Sequence, residues 1–190
     1  MNPDYQHLYV QAMEGYFAFG LVVASALMIY FYRRKSILWV PLLPLFVLFA
    51  HEVDEYLLSP ALFGPEGHFL NWAYSVGLVI SPIDVVVINL GSAVLAASIF
   101  FFKQGTKLFA GVFLFMSSAQ LANAALHLGV ATLQSAYSPG MITALGLFLP
   151  MFVFAILQAQ RESLSSKAMF ALSIIAFIVH FMMILRINAG

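Results

Sequence analysis

Four ionisable residues, His51, Glu52, Asp54 and Glu55, follow directly on the fourteen-residue apolar run Ile37 to Ala50. Imidazoles and carboxylates are ligands for zinc, iron and manganese, and they are also the acids and bases of proton-transfer chemistry. At about 100° per residue on a helix, His51, Asp54 and Glu55 share one face while Glu52 points to the side of Asp54, so one ion cannot take all four. Three acids in the last turns of a helix also lie near the negative end of its dipole. That placement calls for a positive partner: a cation, a metal or bound protons.

Other polar groups stand at positions from which they can join this cluster. Ser117, Gln120, Asn123 and His127 project within roughly 120° of arc on one helix. Ser173 and His180 share a face, as do Glu14 and Ser25, and Tyr137 opens the sequence Tyr137-Ser138-Pro139-Gly140. The expected metal ligands are therefore His51, Asp54, Glu55, His127 and Glu14. Glu52, Glu55 and Tyr137 are the expected acid–base groups, and Gln120 and Asn123 the groups that hold substrate.

The elements that carry these residues are set by composition. Of 190 residues, 63% are hydrophobic and 8% charged, and mean hydropathy is +0.96, values of an integral membrane protein. Residues 1–190 form one domain with room for about six spans. With zero net charge and no long basic block, no nucleic-acid partner is expected. Thiol chemistry, disulfides and thiolate metal sites are excluded by the absence of cysteine. The first apolar run follows no basic n-region and reads as a retained span.

The hydropathy pattern predicts an all-α bundle. A polar lead over residues 1 to 12 carries Tyr5 and Tyr9. Six spans follow: Met13 to Tyr32, Ile37 to Leu57, Ser81-Pro82 to Phe102, Leu108 to Leu133, Met141 to Gln158 and Ala168 to Arg186. Pro41 and Pro44 predict a kink about two turns before His51. Pro and Gly end the second helix near Ser59. Residues up to Gly77, with His68, Trp72 and Tyr74, form a short interfacial helix or re-entrant segment. Ser81-Pro82-Ile83-Asp84 is a capping sequence, which makes Asp84 structural, and Pro139 and Gly140 suit the centre of a type II turn. His180 is expected to be a packing or lipid-boundary histidine.

Six alternating spans place Arg33, Arg34, Lys35, Lys103, Lys107, Arg161 and Lys167 on one side and Arg186 on the other. By the positive-inside rule the first side is cytoplasmic and both termini face outward from the cytoplasmic membrane. The intramembrane ionisable residues then gather at one level in the outer half, where a single polar pocket would satisfy them.

His51-Glu52-Val53-Asp54-Glu55, His127 and Tyr137-Ser138-Pro139-Gly140 resemble, in that order, the motifs of the HXXEE family of membrane proteins: His-x-x-Glu-Glu, a further histidine and Tyr-x-Pro-Gly. Asp54 stands where the family has its first paired Glu. The resemblance covers about residues 51 to 140 and marks the site residues; it implies no established activity.

The expected function is a membrane-embedded, metal-dependent enzyme, a hydrolase or oxidoreductase, whose lipid or other apolar substrate enters sideways from the bilayer. A divalent zinc, iron or manganese ion is the expected cofactor. One alternative is a metal-free acid–base isomerase, and another is a carrier or sensor for an ion or small molecule.

Overall fold

The computed structural model describes residues 7–78 and 80–188, with side chains placed as far as residue 185. Tyr5 and the side chain of Arg186 lie outside the described residues. Among those residues the fold is all helical, and six helices are long and apolar enough to cross a membrane.

Helix α1 (Leu8–Arg33) starts five residues before the expected Met13. Val10, Met13 and Phe17 recur at helical spacing and are all buried, so core contacts draw the polar lead into the helix. At Gly20 the backbone meets the ring of Phe49 so closely that a Cβ would stand 2.7 Å from it. Helix α2 (Ile37–Phe63) opens with a 3-10 turn, Ile37–Trp39, and becomes α-helical only over Leu43–Val53. The kink expected from Pro41 and Pro44 is thus a late helix start, with Pro44 in the first turn, where its missing N–H costs nothing.

At its other end α2 does not stop near Ser59, as expected, but continues to Phe63. Pro60 has no N–H, and its ring crowds the carbonyl one turn back; the helix answers by widening into a π turn over Asp54–Leu58, with Ser59 N–H on the Asp54 carbonyl. The widened turn carries Asp54 and Glu55.

A short helix, α3 (Phe69–Ser75), follows. His68 caps it, its Nδ1 accepting the Leu70 N–H at 3.2 Å, and Leu70, Asn71, Trp72 and Ala73 are buried. This segment packs its buried side chains into the apolar core and leaves Tyr74 exposed. Helix α4 (Pro82–Phe101) begins at the expected cap, where Ser81 Oγ accepts the Asp84 N–H at 3.1 Å and donates to the Asp84 carboxylate. Helix α5 (Lys107–Gln134) ends at Ser135 in the left-handed region. The next turn is the expected type II turn: Met141 N–H bonds the Ser138 carbonyl at 3.1 Å, and Gly140 has φ +78° and ψ −7°. Helix α6 (Met141–Arg161) carries a second π turn, Ala144–Phe148, just before Leu149-Pro150. Helix α7 (Ser166–Asn188) lies against α5, with Ser118 Oγ donating to Ser173 Oγ at 3.0 Å.

Helices α2 and α5 form the centre. Over their most apolar windows they are 56% and 50% buried, against 6% for α7, so a site built from α2 and α5 stands on the two most buried spans. One apolar core joins α1, α2, α3 and α4, and a second joins α2, α5 and α6. The site lies where these two cores meet.

Candidate metal centre

Both histidines meet on one acid, Glu55. His51, one turn before Glu55, places its Nε2 3.3 Å from Glu55 Oε1, and His127 of α5 brings its Nε2 to 2.9 Å from the same oxygen. All three side chains are almost completely buried, and their donor atoms lie within 4.8 Å of one another. Ligand atoms around a tetrahedral ion at about 2.0–2.2 Å stand roughly 3.3–3.6 Å apart, so small movements suffice to bring these three onto one ion.

Hydrogen bonds fix the rings. Thr143 Oγ1 lies 2.8 Å from Asp54 Oδ2 and 3.0 Å from the Gly140 carbonyl, both of which only accept, and 3.1 Å from His51 Nδ1. The hydroxyl has one proton, which goes to an acceptor, so His51 Nδ1 must donate to Thr143. Neutral His51 therefore keeps the lone pair on Nε2, facing Glu55. On the opposite ring, His127 Nδ1 is 2.8 Å from Ser138 Oγ, again with Nε2 turned inward. Trp72 stacks on His127 at 5.9 Å, Phe148 lies 4.6 Å from His51, and the two imidazoles meet edge to face at 5.2 Å.

Two buried atoms of the triad, Glu55 Oε1 and His127 Nε2, lack a hydrogen-bond partner among the described residues. Orphaned, mutually facing donors of this kind fit a shared ion, and two imidazoles with one carboxylate form a donor set used by catalytic zinc and non-haem iron. Asn123 Nδ2 approaches His51 Nε2 at 2.9 Å. An ion would replace that hydrogen bond, and the amide, turned about, would offer its oxygen to the same point.

The remaining expected site residues are placed differently. Asp54 turns away from the histidines and accepts from Thr143 N, Thr143 Oγ1 and Ser59 Oγ, pinning the start of α6 to α2. Glu14 pairs with His68 Nε2 at 3.0 Å. Because His68 Nδ1 is occupied as an acceptor, its Nε2 carries the proton and donates to Glu14. Tyr137 bonds Ser59 Oγ through its hydroxyl at 3.1 Å and lies against Phe63; partial burial pushes its phenol above the usual tyrosine range, an effect opposed by the Ser59 bond and reinforced by the charges of Asp54 and Glu55.

Glu52 points into a cavity of about 430 Å³ beside the cluster, where Asn89 donates to it at 2.5 Å. Glu55, Asn123 and Gln120 also line this cavity, together with Tyr56, Phe148 and His180. Spans α4 and α7 flank it and scarcely touch each other, and the lining includes exposed Val87, Leu95, Val179 and Met183. The cavity thus opens sideways between two spans.

Ser138 and Thr143, which orient the histidines, gave no signal of their own in the sequence. Asn89 did: it is a polar residue in an apolar span, where polar side chains usually bond another helix. The chain matches no family model, no curated protein and no solved structure.

Proposed function

We propose that this protein is a membrane-embedded, metal-dependent enzyme, a hydrolase or oxidoreductase, acting on a lipid or other apolar small molecule. The observation that carries this reading is the buried triad of His51, Glu55 and His127, whose facing donor atoms include two without hydrogen-bond partners among the described residues. The residues suit zinc, iron or manganese, which when bound would supply Lewis-acid or redox chemistry. Thr143 and Ser138 hold the imidazoles with Nε2 inward, and Phe148 and Trp72 exclude water from them. Glu52, held by Asn89 at the cavity wall, accepts or returns a proton of the substrate. The lateral opening between α4 and α7 admits an apolar molecule from the bilayer, and the positive-inside rule turns the site toward the outer side of the cytoplasmic membrane.

The hydrogen bond from Asn123 to His51 favours a second reading. With that lone pair already filled, His51, His127 and Glu55 would form a metal-free acid–base relay on the same substrate.

Elemental analysis separates the two. Protein purified in metal-free detergent buffer should carry about one equivalent of metal, and a folded His51→Ala, His127→Ala variant should carry none. Metal-free wild type that also fails to take up zinc, iron or manganese would leave the acid–base reading.

A further inference from the structure

Cavity-lining side chains constrain the ligand more closely than the triad does. Among the described residues that line the cavity none is Lys or Arg, and its charged groups are the carboxyls of Glu52 and Glu55. An anionic head group would find no countercharge there and two acids close by, a costly combination in a membrane interior.

Most of the polar lining is already engaged. Asn89 donates to Glu52, and Asn123 bonds His51. Gln120 donates its Nε2 to the Pro44 carbonyl at 3.0 Å. A carbonyl only accepts, so this bond fixes the orientation of the amide and leaves Gln120 Oε1 as an acceptor. That oxygen is buried without a hydrogen-bond partner among the described residues, and so is Nε2 of His180, a residue only 9% exposed. Buried polar atoms of this kind cost stability unless something bonds them. Gln120 Oε1 can be satisfied only by a donor, an O–H or N–H; His180 Nε2 can take either role.

We propose that Gln120 and His180 form a recognition subsite for an uncharged lipid that carries at least one hydroxyl or amide N–H donor and no phosphate or carboxylate. This rests on the cavity being the substrate chamber of the proposed enzyme, and it assigns His180 to ligand binding. At about 430 Å³ the cavity is near the small end of ligand pockets, which suits one acyl chain with a small head.

Native mass spectrometry of the detergent-solubilised protein with three probes tests it: monoolein, its diacetate, and oleoyl lysophosphatidic acid. Monoolein, with two free hydroxyls, should bind at least ~10-fold more tightly than the diacetate, which lacks a donor, and than the anionic lipid. Gln120→Leu and His180→Phe should each reduce the preference for monoolein over the diacetate while leaving metal content unchanged. Equal binding of monoolein and its diacetate by the wild type, or tighter binding of the anionic lipid, overturns the proposal without need of any variant. The His51→Ala, His127→Ala variant keeps both subsite residues, so its metal loss tests the metal reading while its retained preference for monoolein tests the subsite.

Discussion

Gly140 sits directly on Glu55: a Cβ at Gly140 would stand 2.7 Å from Glu55 Cγ and 2.6 Å from Cε1 of His51. The glycine of the Tyr-x-Pro-Gly sequence therefore serves two ends. Its φ of +78° makes the turn, and its bare backbone lets that turn pack against the buried histidine and carboxylate. Gly140→Ala should lower stability by about 2 kcal/mol or more through clash and strain, and should displace Glu55. Thermal unfolding with parallel metal analysis measures both; a variant as stable and as metal-loaded as wild type would contradict this account.

Asp54 and Glu55 adjoin in sequence and differ in task. Glu55→Ala should abolish metal binding, since it removes a ligand. Asp54→Ala should leave metal binding weakened and cost about 1–3 kcal/mol, because it unpairs Thr143 and Ser59 in the interior. Zinc titration of the two variants distinguishes these outcomes, and equal loss in both would make Asp54 a ligand.

Thr143→Val keeps the shape of the side chain and removes the acceptor for His51 Nδ1. Partners that orient a ligating histidine typically contribute a factor of about 10–100 in metal affinity. A competition titration should show a loss of that order with helical content unchanged. Unchanged affinity would mean that Phe148 and the helix alone hold the ring.

The Glu14–His68 pair joins α1 to the short helix α3 that carries Trp72 onto His127. Glu14→Ala should speed amide hydrogen exchange over Phe69–Ser75 and leave the metal bound, because neither residue belongs to the triad. Loss of metal in this variant would place Glu14 among the ligands after all.

Much of this architecture was legible in local chemistry. Long apolar runs made six spanning helices, Ser81 and Pro82 made a cap, and Pro139-Gly140 made a type II turn, since each depends on chain neighbours alone. The late start of α2 and its passage beyond Ser59 were less legible. A proline in a spanning segment can break, kink or widen a helix, and the neighbouring helices select among these.

What the sequence determined by itself was the class of the protein and the level at which its polar residues gather, because hydropathy and helical period act along the chain. Which acid joins His51 and His127 was decided only by the tertiary structure. At regular helical spacing Asp54 and Glu55 were equivalent candidates on the face of His51. Thr143, 89 residues away in the chain, takes Asp54 as its partner, and His127 of α5 meets Glu55, which stands one regular helical turn after His51.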